Sequence, residues 1–250
     1  MGDAMLEVAA ISRSFGGLKA LDGMSLSVAP GSITGLIGPN GAGKTTMFGV
    51  ISGFVAPDTG SVRFRNSDIT HEAAHLRARR GIARTFQIVQ PFAGLSVAEN
   101  IAVGAYLRHA KPSDARARAH DVGHRVGLGA MLEQPAASLT VAGRKRLELA
   151  RALATEPELL LLDEVLAGLN PSEIRDIVPI IRDIRAGGVT ILMIEHVMQA
   201  VMALCDDIFV MAQGRMIAAG KPDIVCRDPQ VIEAYLGHGA AARMQEAGHA

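Results

Sequence analysis

Gly38-Pro39-Asn40-Gly41-Ala42-Gly43-Lys44-Thr45-Thr46 follows the short apolar run Ile33 to Ile37 and precedes a segment of helical character. Glycines let a backbone wrap so that successive N–H groups point inward at the oxygens of a triphosphate. A helix beginning near Lys44 adds the positive end of its dipole to the same point. Lys44 then offers a mobile cation to β- and γ-phosphates, and the Thr45 hydroxyl can coordinate Mg²⁺. A glycine-rich turn without chemistry would not need the full G-x-x-x-x-G-K-T spacing between a strand and a helix.

Such a loop names a ligand class and leaves the reaction open. Leu159-Leu160-Leu161-Leu162-Asp163-Glu164 is a wholly apolar run ending in two carboxylates, the pattern of a buried parallel strand that opens on a nucleotide. Asp163 is placed to hold a Mg²⁺ shell and Glu164 to polarise an attacking water. Two acids at a strand end can also simply cap the next turn. Gln87, in Thr85-Phe86-Gln87, lies where the core sequence gives way to a charged, alanine-rich region. Ala167-Gly168-Leu169-Asn170-Pro171 follows the second carboxylate, and His196 follows another apolar strand, Val189 to Ile194.

This order of segments resembles the ATP-binding subunits of ABC transporters, and the resemblance runs from about residue 5 to residue 237. Within that superfamily four stretches are most similar to the subunits that energise branched-chain amino acid import. They are Ser14-Phe15-Gly16-Gly17-Leu18-Lys19-Ala20-Leu21, Arg84-Thr85-Phe86-Gln87, Ala167-Gly168-Leu169-Asn170-Pro171 and Ala234-Tyr235-Leu236-Gly237. The resemblance implies ATP and Mg²⁺ as cofactors, with ATP held by Gly38 to Thr46. It implies that Phe15 stacks on adenine, that Gln87 reaches the metal and attacking water, and that His196 contacts the γ-phosphate. Glu164, His196 and Gln87 would be catalytic, and Thr45, Gln87 and Asp163 would face the metal. Taken singly, Phe15 can be an ordinary core aromatic, Gln87 a solvated loop amide and His196 a surface histidine.

The signature segment departs from the family. Its usual form is Leu-Ser-Gly-Gly-Gln, and the matching positions read Leu139-Thr140-Val141-Ala142-Gly143. Thr140 keeps a hydroxyl that can cap a helix, and the helix N-terminus still offers N–H groups to an anion. A glycine is lost at Ala142, whose methyl is tolerated in a right-handed helix and penalised only at positive φ. Thr140, Ala142 and Gly143 therefore stay as expected ATP contacts. The usual proline after the catalytic glutamate is replaced by Val165, with both carboxylates intact.

The expected fold is α/β, a P-loop NTPase core of the ABC ATPase type with an antiparallel β flank and an inserted helical subdomain. The core would take residues 1–88 and 153–237, the helical subdomain 89–152, and a flexible tail 238–250. Leu6 to Arg13, Met24 to Val28 and Ser61 to Arg65 read as the flank. Ile33–Ile37, Leu159–Leu162, Val189–Ile194 and Ile208–Met211 read as parallel strands, with a hairpin turn at Gly214. The 250 residues carry 25 basic and 25 acidic side chains, so no overall basic field argues for nucleic acid. Arg77, Arg79, Arg80 and Arg84 suggest a solvated helix face or a partner surface. Cys205 and Cys226 suit free thiols in a reducing compartment.

Met1 to Glu7 has no basic-then-apolar pattern and no apolar stretch is long enough to span a bilayer. Membrane work would need separate spanning permease subunits, placing this chain peripherally on the cytoplasmic face of the inner membrane. A second ATP-binding subunit would face it head to tail, and a periplasmic substrate-binding protein would be an indirect partner. The alternatives are a soluble ABC ATPase acting as an assembly factor and the ATPase of a lipid or lipopolysaccharide exporter.

Overall fold

The structure, a computed structural model, describes residues 4–86 and 90–236. Gln87 and the tail 238–250 lie outside the described residues. Those described divide into two compact units, one within Met1–Glu72 and Leu192–Ala250, the other within Ala73–Ile191.

The first unit opens on β1 (Leu6–Phe15) and β2 (Leu18–Val28), an antiparallel pair that runs from Leu6 opposite Val28 to Phe15 opposite Leu18 with register shifts between Val8 and Ser14. β3 (Ile33–Ile37) has all five residues buried, the polar Thr34 included, as expected of a strand covered on both faces. The phosphate loop follows and then α1 (Lys44–Ser52), which buries Met47, Phe48, Val50 and Ile51. β4 (Thr59–Phe64) pairs antiparallel with β1, and β5 (Ser67–Asp68) completes a sheet of order β2-β1-β4-β5. The flank expected from the sequence is present. β2 starts at Leu18 rather than Met24, because Gly23 at φ +65° interrupts the alternation that marks a strand.

The second unit begins with α2 (Ala74–Arg80), β6 (Ile82–Arg84), α3 (Val97–Ala105), α4 (Pro112–Arg125) and α5 (Val141–Ala154). Val97, Ile101, Ala115, Ala119, Val122 and Leu147 are buried where α3, α4 and α5 pack on one another. Ser96 and Glu99 start α3 with a reciprocal capping box. β7 (Leu159–Asp163), fully buried, runs parallel to β6. α6 (Pro171–Ala186) starts on a second capping box, Asn170 with Glu173. The basic cluster is not one solvated face: Arg79 and Arg80 are exposed, but Arg77 is 1% exposed and Arg84 bonds a carboxylate described below.

The chain passes back to the first unit within β8 (Thr190–Ile194), whose five residues are buried. α7 (Met198–Leu204) and β9 (Asp207–Ala212) follow, with β9 parallel to β3 from Thr34 opposite Asp207 to Ile37 opposite Val210. β10 (Arg215–Gly220) turns back on β9 at Gly214, φ +76°, the hairpin the sequence predicts. α8 (Pro222–Val225) and α9 (Pro229–Leu236) end the described chain.

Candidate functional site

In the first unit β3 ends at Ile37 and the chain enters a loop in which Gly38, Gly41 and Gly43 have φ of +148°, +78° and +102°. A Cβ at Gly38 would lie 2.1 Å from the carbonyl oxygen of Met211, and one at Gly43 would lie 2.4 Å from that of Ala20. Both positions therefore demand glycine for conformation and for space. Gly214 N–H donates to the Ala42 carbonyl at 3.0 Å and Ala42 N–H to that of Pro39 at 3.2 Å, pinning the middle of the loop.

α1 starts at Lys44 on Gly43, with no side-chain cap on its first turn, the arrangement in which helix N–H groups serve an anion. Lys44 is 8% exposed, and its Nζ donates to the carbonyls of Gly38 at 2.8 Å and Pro39 at 3.0 Å. The ammonium is thus folded back across the loop. Asn40, Gly41 and Thr45 are exposed, and Pro39, Gly43 and Thr46 half-buried.

Phe15 closes β1 with its ring 46% exposed and the Arg13 guanidinium 4.8 Å from the centroid, so it is no core aromatic. Arg13 is anchored in turn on Asp58 at 2.8 Å. His196 is exposed in the segment between β8 and α7.

In the second unit Asp163 is 2% exposed, and its Oδ2 accepts from the Arg84 guanidinium at 2.8 Å. Burial pushes the Asp163 carboxyl above its usual range, and the Arg84 bond and charge oppose that shift. The Thr85 hydroxyl accepts from Asp163 N–H at 2.9 Å, which ties the end of β7 to the chain just before Gln87. Glu164, half-buried, has φ of +49°, a left-handed conformation that costs a residue with a Cβ about 1–2 kcal/mol. Val165, where the family's proline is absent, is buried.

α5 starts on Thr140, whose hydroxyl accepts from Gly143 N–H at 3.1 Å. Ala142 lies in the first turn of that right-handed helix, so its methyl meets no backbone penalty. Val141, also a departure from glycine, is 55% exposed.

Two residues of α5 escaped the sequence reading. Lys145 Nζ donates to the Glu164 carbonyl at 3.1 Å, and Glu148 accepts from the N–H of Phe86. Burial raises the Glu148 carboxyl, with the Phe86 bond and the Lys145 charge acting against it. The signal was a charged pair, Lys145 and Glu148, on the helical stripe shared with Leu149 and Ala152.

A family model described as ABC transporter matches residues 21–167, and a second, described as branched-chain amino acid ATP-binding cassette transporter, matches residues 215–241. The high-affinity branched-chain amino acid transport ATP-binding protein LivG of Escherichia coli K12 is 38% identical over 254 residues, covering 95% of this chain and 99% of that protein. The chain belongs to the ATP-binding subunits of ABC transporters.

The solved ADP conformation of an ATP-binding cassette is 34% identical to this ABC subunit, with a TM-score of 0.86 over 95% of this chain and 100% of that one. The lipopolysaccharide export ATP-binding protein LptB of Acidithiobacillus ferridurans is 34% identical, covering 93% of this chain and 97% of that protein. The chain is therefore an ATPase, and the α/β fold read from the sequence is that of the family.

Proposed function

We propose that this subunit energises an importer of branched-chain or related amino acids. The observation that carries the reading is the match at 215–241 to the branched-chain model, because that segment lies outside the general ABC match. The relation to LivG supports it, and the exporter reading rests on a less similar relative.

The phosphate loop fits ATP on its own geometry: Gly38 and Gly43 leave no room for a Cβ, and α1 offers an uncapped first turn. The Gly41 to Thr46 backbone would cradle the phosphates, and Lys44 would exchange its loop carbonyls for phosphate oxygens. Thr45, Asp163 and Gln87 would hold Mg²⁺, which when bound neutralises phosphate charge. Glu164 acts as general base toward water, Gln87 and His196 position the reacting groups, and Phe15 stacks on adenine. A second ATP-binding subunit would present its signature helix to this loop while Thr140, Ala142 and Gly143 face the partner's ATP.

Among the described residues no helix is long and apolar enough to cross a membrane, so the transport path would belong to permease subunits. A periplasmic binding protein would deliver the substrate to them. Purification of the full-length chain from membranes, with identification of what accompanies it, tests this. Permeases of an amino acid importer are expected. Lipopolysaccharide-export partners, or no spanning partner, would replace the reading by one of the two alternatives.

The altered signature gives a sharper test. With Ala142 in a right-handed first turn, Ala142→Gly should change ATP-driven dimerisation by no more than about 1 kcal/mol. Ala142→Asp should prevent it, since a carboxylate would confront a phosphate in a partly dry interface. Sedimentation in a Glu164→Gln background compares the two. If Ala142→Asp dimerises like its parent, the segment does not clamp ATP across the interface.

A further inference from the structure

The buried face of α5 carries two charges that the reaction as described above does not use. Lys145 and Glu148 are 6% and 7% exposed, three residues apart and one turn of helix from each other. An ammonium or carboxylate is removed from water at a large cost unless its partners justify the place. Both reach backbone. Glu148 holds the N–H of Phe86, the residue before Gln87, and Lys145 holds the carbonyl of Glu164 at 3.1 Å.

Glu164 is also where the backbone is strained. Asp163 ends β7, and at the next residue φ swings to +49°. A left-handed residue sends its Cα–Cβ bond in a direction that a strand or a right-handed turn would not give. Such a conformation persists at a non-glycine position only where surrounding bonds over-determine it. The Lys145 ammonium bonds the carbonyl of that very residue, from a helix whose own packing is fixed by Leu147, Leu149 and Ala150 at its sides.

We propose that Lys145 is a positioning residue for hydrolysis, holding the left-handed backbone of Glu164 so that its carboxylate is aimed at the attacking water. The inference rests on the reading of Glu164 as general base. It makes α5 more than a signature carrier. The helix that presents Thr140 and Gly143 at its N-terminus fixes, one turn further on, the peptide that bears the base.

The test uses the full-length chain purified with its membrane partners, measuring single-turnover ATP hydrolysis and equilibrium ATP affinity. Lys145→Met keeps most of the side chain and removes the donor. It should slow hydrolysis on the order of 10–100-fold, the scale of misplacing a catalytic group by about an ångström, with ATP affinity unchanged. Lys145→Arg should restore most of the rate. In a Glu164→Gln background Lys145→Met should add nothing, because two residues acting through one group are not additive.

Four outcomes overturn it: a wild-type rate in Lys145→Met, affinity lost together with rate, no rescue by arginine, or further slowing of Glu164→Gln. If Glu164→Gln alone hydrolyses normally, the general-base reading fails and this inference falls with it. If Glu164→Gln is slow and Lys145→Met is not, only this inference fails.

Discussion

Replacing Lys44 by alanine is expected to weaken Mg²⁺-ATP binding by roughly two orders of magnitude or more, the scale of losing about 3 kcal/mol of charge-assisted hydrogen bonding. The structure gives a reason beyond the motif. Lys44 Nζ sits within 3.0 Å of the Gly38 and Pro39 carbonyls, so the cation is already held at the loop and needs only to exchange acceptors. Alanine removes that charge, so the loop itself meets the phosphates with neutral backbone amides only. The fold should persist, because Phe48, Val50 and Ile51 continue to anchor α1. Titration with a fluorescent ATP analogue in the presence of Mg²⁺ measures the loss, with thermal unfolding as control. An unchanged Kd in a folded variant would remove Lys44 from this role.

The second large effect is on chemistry rather than binding. Glu164→Gln should leave ATP affinity near wild type and slow hydrolysis on the order of 10²–10⁴-fold, the range for a lost general base. The amide is close to isosteric, and the Lys145 bond to the residue-164 carbonyl does not involve the side chain, so the left-handed turn should survive. What disappears is the ability to take a proton from water as it attacks. Because hydrolysis then no longer empties the site, the ATP-bound dimer should accumulate. Single-turnover measurement with radiolabelled ATP separates this from a binding defect. A rate near wild type would mean that another group activates the water.

The legible parts of the protein were those whose physics is local. A glycine loop that must cradle phosphate writes its requirement into nine adjacent residues. An all-buried strand writes its own as an unbroken apolar run, as in Leu159 to Leu162 of β7. The helix starts at Ser96 and Asn170 carry an equally local mark, a glutamate three residues on, which the sequence reading above did not use.

Less legible was whatever depends on pairing at a distance. β6 is only three residues long and exists as a strand because it lies along β7. The Arg84–Asp163 bond joins positions 79 residues apart, and a basic cluster in the sequence gives no hint that one of its members neutralises a buried carboxylate. Lys145 and Glu148 reach main-chain atoms, which carry no residue identity for a motif to record. Their only trace is a charged pair on an apolar helical stripe.

The carbonyls of Met211 and Ala20 wedge the phosphate loop from outside, at 2.1 and 2.4 Å from where a Cβ would stand on Gly38 and Gly43. Those oxygens belong to β9 and β2, strands separated in sequence from the loop and committed to their own sheets. A loop shaped by its frame enters association already ordered, so little conformational entropy is given up when a ligand arrives. Its affinity then depends on positions that make no contact with the ligand as well as on those, such as Lys44, that do. Small shifts of the frame would change how long a ligand stays more than how fast it arrives.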